Sequence, residues 1–516
     1  MKKERSHIEF FAGCGGMAVG LKNAGFKLKF ANEVSPMAGD TFAYNIFGVD
    51  IGIPSPNVKW IHSRFSNQEL SQRLRENLLT HKTDENIDFR TNAFLDDIEN
   101  TLLIGDIRKL RDSFKKIGVN NPYKGTLDLI SGGPPCQSFS LAGKREKNNY
   151  KNSLPLDFAE VCELLNPKVI LLENVKGILS AFKEGNSKYY AWFEVAKVFC
   201  VKGFIPICML VNSKYFGVAQ NRPRYLMMAF RHDIFLKLKS IFPNNEIIEN
   251  SFQFASKIKS NKEVTYHDLE YYNIEKNPEL FDGKLLPKPV TIEKNSWNSV
   301  CEAINDLTVK GNVEKSNYTK KINSLSVNRG GSIEVDVNHK PRNHSKKIQD
   351  RFLFFQLLNF LTPEDELLII NHVKNIHGIS EAKFRSIFIH LKSSCEEFSK
   401  IFKSFKEFEG FINKISLTKK HSQRALEKDK PSPAQLTIPD DTCHYSLFEN
   451  RVLTVREIAR IQSFPDSFQF RSKETTGGVK RAFEVPQYTQ VGNAVPPMLA
   501  YHVGKHIKKL LNNINS

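Results

Sequence analysis

Short, mostly apolar runs punctuate the first half of the chain at residues 8–11, 28–31, 102–104, 127–130, 169–172 and 225–230. Their lengths suit buried strands. Helical stretches lie between several of them, and one starts near Met17 and stops at Gly25, a residue suited to a helix C-cap. This alternation predicts an α/β fold, a largely parallel sheet covered by helices on both faces. Ligands of such sheets bind beyond the carboxyl ends of the strands. The Gly13-Cys14-Gly15-Gly16 turn, Glu33, Asp106, Cys136 and Glu173 all fall at that edge.

From about residue 285 the rhythm is lost and Asn, Lys and Ser become frequent. Residues 345–425 read as mostly helical, with Phe352, Phe355, Leu358 and Phe360 as one apolar set. Thr362-Pro363-Glu364 has the form of a helix start, a capping hydroxyl followed by Pro in the first turn. Lys428 to Pro433 reads as a linker, and Thr454 and Glu457 have capping-box spacing at the head of another helix. No internal repeat is visible.

At 516 residues the chain is long enough for two lobes, and its 40% hydrophobic and 25% charged content is ordinary for a globular protein. Its net charge of +18 suits a polyanionic partner. Residues 231–450 hold 33 basic and 29 acidic side chains, so most of the excess lies in the flanking parts. None of the 8 Cys forms a Cys-x-x-Cys pair, which argues for a reducing compartment and against a zinc ribbon. With no run as long as a signal peptide's apolar core or a membrane span, a cytoplasmic protein is expected.

Two candidate chemistries stand out. The glycine turn, with Glu33 about 20 residues on and then Asp106, suits a nucleoside-containing cofactor, although a plain tight turn would use the same glycines. Gly132-Gly133-Pro134-Pro135-Cys136 sets a thiol on a stiff turn after a strand. Cys136 is therefore a candidate nucleophile, the alternative being a small buried hydrophobe. Glu173 could equally be a capping or salt-bridging carboxylate, and Val491-Gly492 a plain turn.

Six blocks then occur in order: Phe11 to Gly16, Gly133 to Gln137, Glu173-Asn174-Val175-Lys176-Gly177, Gln220-Asn221-Arg222-Pro223-Arg224, Arg451 to Phe468, and Gln490 to Pro497. In these blocks the chain resembles the bacterial DNA (cytosine-5)-methyltransferases of restriction-modification systems. The likeness covers about residues 5–235 and 435–505, and residues 310–430 carry none of it. Pro223 stands where the family often has an acidic residue.

The resemblance implies a Rossmann-like S-adenosylmethionine-dependent methyltransferase sheet with a second, smaller target-recognition domain. The implied division is a catalytic domain at 1–285, a recognition domain with a helical insert at 286–470, and a segment, 471–516, returning to the catalytic domain. It implies Cys136 as the nucleophile at carbon 6 of cytosine, Glu173 as a protonated partner of ring nitrogen 3, and Arg224 as donor to the ring carbonyl. Arg222 is implied as a structural ion-pair residue. The methyl donor is assigned to Phe11, Gly13, Gly15 and Gly16 at its methionine part, Glu33 at the ribose, and Asp106 with Ile107 at the adenine, with Pro135, Asn493 and Val495 completing the pocket. No metal is implied.

The expected partner is double-stranded DNA with its target cytosine flipped out, bound by a monomer that has a cognate restriction endonuclease. Ser140, Gly143, Lys144, Arg145, Lys147 and Lys151 suit a phosphate-touching loop or a solvated one. His339, Arg342, Asn343, His344, Lys346 and Lys347 suit base-edge contacts or a solvated face. A tRNA cytosine methyltransferase and a catalytically inactive DNA-binding protein are the competing readings.

Overall fold

A computed structural model of the chain describes residues 4–61, 98–135, 153–184, 187–308, 314–327, 337–418, 423–434, 437, 439, 442–478, 480 and 484–515. Cys136 and the six small and cationic residues chosen between 140 and 151 lie outside the described residues.

The described residues contain one large sheet. Its strands are β1 Arg5–Phe10, β2 Phe26–Glu33, β3 Val58–Trp60, β4 Thr101–Ile104, β5 Leu129–Gly132, β6 Val169–Val175, β7 Phe204–Asn212, β8 Pro223–Arg231 and β9 Tyr271–Asn273. They lie in the order β9-β7-β8-β6-β5-β1-β2-β4-β3. Neighbours are parallel except around β8, which runs antiparallel to both β6 and β7. Thus the fold is mixed α/β with a mainly parallel sheet. The chain winds outward in both directions from β1, so the crevice between β1 and β5 is the topological switch point.

All six expected strands are present. β5 starts two residues later than the apolar run because Asp128 is drawn into polar bonds with Arg5 (2.9 Å), Lys168 (2.8 Å) and the Ser6 amide (3.0 Å). β7 is an addition to that reading. Pro206 interrupts its sequence, and a strand tolerates proline only where a ladder bond is not required. Here β9 pairs with Cys208–Leu210 alone, leaving Pro206 beyond its reach.

Helices Ile107–Ile117, Leu154–Leu165 and Ala191–Val201 cover one face, where Phe10, Ile130 and Leu172 meet Leu110, Phe158 and Phe199. Helices Gly16–Ala24 and Pro497–Asn515 cover the other, where Leu129, Leu171 and Leu226 meet Leu21, Leu499 and Val503. Gly25 caps the first of these helices at φ 94°, as expected. A further core on this side joins Ala31, Leu102 and Ile104 to Val300, Tyr318, Leu453, Val455 and Phe464.

Residues 345–417 are mostly helical, and Thr362 caps its helix by accepting from the Asp365 amide. These helices have a separate core that includes Phe354, Leu358, Phe384, Phe398 and Phe408. The expected apolar set divides: Phe352 packs with Ala425, Cys443 and Val452, while Leu358 and Phe360 join the helical core. The stretch 428–433 is not a linker. Lys428 and Lys430 carbonyls accept from Cys301 and Val300, and buried Ser432 donates to Ala219.

The Thr454–Glu457 capping box forms at helix Val455–Ile461. Glu457 also accepts two bonds from Arg451, at 2.8 and 2.7 Å. Burial raises the Glu457 carboxyl pKa, but Arg451 more than offsets this and leaves it at about 2. A carboxylate depressed on folding contributes stability above its ordinary range and loses it as pH falls. Stability should therefore drop from about pH 4.5 toward 2, and Glu457→Gln should flatten that part of a urea-denaturation pH series. At neutral pH the substitution should cost about 3 kcal/mol, since it strands buried Arg451. A second expectation concerns the contact between the first and last helices. A Cβ at Gly20 would lie 2.4 Å from the Pro497 carbonyl oxygen and 2.5 Å from the Ala500 Cβ. Gly20→Ala should destabilise by about 1–3 kcal/mol in the same assay, despite alanine's better helix propensity.

Candidate active site

A cavity of about 400 Å3 opens at the carboxyl edge of the sheet, within the range of small-molecule sites. β1 leads into its glycine turn, β2 ends in Glu33, β5 leads into Gly133-Pro134-Pro135, and β6 carries Glu173. Because β8 runs the opposite way, its start lies at the same edge and brings Arg222 and Arg224 to the cavity. Gln490 and residues 492–495 close another side, although they are some 480 residues from the glycine turn.

Of the residues expected at the site, Phe11, Gly13, Gly16, Glu33, Pro135, Glu173, Arg224, Asn493 and Val495 line this cavity. Gly15 does not; its Cα faces the Phe42 ring. Asp106 and Ile107 also do not line it. Asp106 caps helix Ile107–Ile117 through the Arg108 amide (3.0 Å) and pairs with the Arg108 guanidinium (2.6 Å), while Ile107 joins the hydrophobic core. Both still follow β4, the strand beside β2.

The cavity contains two polar ends. At the turn end, Glu33 accepts from the Gly13 amide (2.8 Å) and the Ser35 amide (2.8 Å). Burial raises the Glu33 pKa, with these backbone bonds opposing the rise. Gly16 is required sterically, because a Cβ there would lie 2.3 Å from the Val495 carbonyl oxygen.

At the other end Glu173 and Arg224 form an ion pair at 2.9 Å. Burial raises the Glu173 pKa, while Arg224 and then Arg222 pull it down; the net direction is upward. Burial lowers the Arg224 pKa against the opposing charge of Glu173. Asn174, next to Glu173, donates to the Pro134 carbonyl at 3.1 Å and so ties β6 to the Pro-Pro turn. Arg222 does not have the expected ion-pair geometry as its main attachment. Its Nη2 donates to the Gly492 carbonyl at 2.7 Å and the Ala494 carbonyl at 3.0 Å.

Three cavity residues were not anticipated. Cys14 is buried and burial raises its thiol pKa to about 12, so it is no nucleophile. Gln490 bridges the Met37, Arg471 and Val485 carbonyls and accepts from Thr41. Glu9 is a charged residue between Ile8 and Phe10 in an otherwise buried strand; that interruption was the available signal. The polar set at 339–347 also divides. His339 bonds Thr454 and the Leu307 carbonyl, and His344 packs edge-on against Phe352, whereas Asn343, Lys346 and Lys347 are exposed.

Among the described residues no group of three or more His, Cys, Asp or Glu side chains is placed to hold a metal ion, and no helix is long and apolar enough to cross a membrane.

Fold and cavity define an α/β protein whose binding site lies at the switch point of a doubly wound sheet. The description of C-5 cytosine-specific DNA methylases matches residues 6–53 and 82–509. The type II methyltransferase M.DdeI of Desulfomicrobium norvegicum is 26% identical over 509 residues, 98% of this chain and 89% of its own. M1.HphI of Haemophilus parahaemolyticus is 24% identical over 511 residues, covering 98% and 88%. M.Eco47II of Escherichia coli is 24% identical over 515 residues, covering 98% and 80%. The chain belongs to the C-5 cytosine-specific DNA methylase family.

The geometry around Arg222 yields a prediction about the cavity wall. Arg222→Met keeps most of the stem volume and removes both donors to residues 492 and 494. Hydrogen exchange should increase in residues 487–496, and global stability should fall by about 2–4 kcal/mol as two buried carbonyls lose partners.

Proposed function

We propose that this protein is an S-adenosylmethionine-dependent DNA (cytosine-5)-methyltransferase, the modification enzyme of a restriction-modification system acting on a short duplex sequence. The observation that carries the reading is the Glu173–Arg224 pair at 2.9 Å, in the same cavity as the glycine turn and Glu33. S-adenosylmethionine supplies an electrophilic methyl group when bound. The cavity suits it: the glycine turn leaves room for close approach, Glu33 ends β2 where ribose hydroxyls are met, and Glu9 leaves a buried oxygen unpartnered.

Carbon 5 of cytosine is a weak nucleophile. Addition of a thiolate at carbon 6 breaks the ring's aromaticity and gives carbon 5 enamine character. Cys136 is our nucleophile; it directly follows Pro135, which lines the cavity. Glu173, its carboxyl raised by burial, holds a proton for ring nitrogen 3. Arg224 stabilises the negative charge that develops at the ring carbonyl. Loss of the carbon-5 proton and departure of the sulfur then restore the ring and free Cys136.

A stacked base cannot reach such a cavity, so the cytosine is rotated out of the duplex. Recognition of its sequence falls to residues 286–470, where near-neutral charge requires base-edge contacts. We place the enzyme in the cytoplasm as a monomer on DNA.

Transfer of labelled methyl from S-adenosylmethionine to duplex DNA, with bisulfite sequencing of DNA from expressing cells, tests the reading. The parent protein should methylate one sequence context at carbon 5, and 5-fluorocytosine duplex should trap it covalently. Cys136→Ala should abolish transfer, while Glu173→Gln and Arg224→Ala should each lower it by about 100-fold or more. Transfer to tRNA alone, or an active Cys136→Ala protein, would overturn the assignment.

A further inference from the structure

Glu9 is a buried carboxylate with no task in the chemistry above. It lies on β1 at 2% exposure and lines the cavity beside the glycine turn, and its Oε2 has no hydrogen-bond partner. The other cavity carboxylates are answered, Glu33 by two backbone amides and Glu173 by Arg224. A buried anion without donors is costly. Burial pushes the Glu9 pKa well above the usual carboxylate range, and the charge of Glu33 pushes it further.

None of the neighbouring groups relieves this. β2 contributes Glu33, another acid, and the glycine turn contributes Cys14, whose thiol stays protonated. On β1 itself, burial lowers the His7 pKa to about 3, and its ring bonds Ser131 of β5. β6 and β8 contribute Glu173, Arg224 and Arg222; the first two pair with each other, and Arg222 is engaged by the 492 and 494 carbonyls. Helix Gly16–Ala24 and the returning segment bring Met17 and Gln490, neither charged. The cavity therefore has a buried acidic floor whose missing counterpart is a cation.

We propose that Glu9 is the counter-charge for the α-ammonium group of the methyl donor, holding a proton while the cavity is empty and releasing it to solvent as that cation enters. This rests on reading the cavity as a donor site. The amino end of helix Gly16–Ala24 favours an anion. An amino-acid zwitterion that sets its carboxylate there brings its ammonium group, on the same carbon, toward the strand that leads into the turn. The sulfonium group belongs instead toward Glu173 and Arg224, where the methyl is used.

Titration calorimetry in two buffers of different ionisation enthalpy tests this with S-adenosylmethionine, S-adenosylhomocysteine and 5′-methylthioadenosine, which lacks the amino acid. The parent protein should release protons on binding the first two ligands but not the third. Glu9→Gln should bind those two about ten- to hundredfold more weakly without proton release, and bind 5′-methylthioadenosine unchanged. Its thermal melt should match or exceed that of the parent, separating a binding loss from misfolding. Absence of proton release by the parent overturns the proposal without reference to the variant. Unchanged affinities in Glu9→Gln, a loss confined to the sulfonium ligand, or an equal loss for 5′-methylthioadenosine overturns it too. A parent protein that binds neither S-adenosylmethionine nor S-adenosylhomocysteine overturns the methyltransferase reading as well.

Discussion

The attachment of the chain's end to its beginning is the constraint on which the site depends. Helix Pro497–Asn515 packs on helix Gly16–Ala24 at a distance that only small residues permit, with Gly20 facing Pro497 and Ala500, and Gly504 facing Leu21 and Ala24. That packing carries residues 492–495 to the cavity, where the Val495 carbonyl sits over Gly16. Arg222 then fastens the segment from the opposite side through two carbonyls. Without this closure the glycine turn would be an open groove at a sheet edge.

The cavity concentrates charge in a poorly solvated place. Glu9, Glu33, Glu173, Arg222 and Arg224 all line it and all are at most 8% exposed. At such sites the charged form of each group depends on its partners, because water contributes little. Backbone amides answer Glu33 and Arg224 answers Glu173. The two ends thereby acquire different characters: a set of carboxylates by the glycine turn, and a mixed acid–guanidinium pair where a developing negative charge would be met. The closing segment lies across both, so binding at one end is physically joined to the geometry of the other.

The rest of the chain divides by packing. Residues 300–325 and 453–470 share a core with β2 and β4, whereas the helices between 346 and 412 bury their phenylalanines against one another. Arg451, Glu449 and Glu457 form a buried charged cluster near that division, supported by the Thr454 capping box. Extra helical mass can therefore vary without disturbing the sheet, consistent with the absence of family blocks from residues 310–430.

The sheet was readable from local pattern, since each of the six runs needed only enough consecutive apolar side chains to fill one layer of core. Caps were readable for the same reason: Gly25, Thr362 and Thr454 act on backbone groups within a few residues. The glycine turn, Glu33, Glu173 and Arg224 were also legible, through ordered motifs. What needed the fold was every relation between distant segments. Arg222 looked like half of an ion pair and instead holds two carbonyls some 270 residues away. Lys428 to Pro433 looked like a linker and is held between residues 219 and 301. Glu9 looked like an interruption in an apolar run, and only the closed cavity leaves it a buried acid without a partner. By itself the sequence determined the layers, the caps and the chemical types at the sheet's edge. Tertiary structure decided which charges answer one another, because that depends on distance and loss of water, and neither is a property of neighbours along the chain.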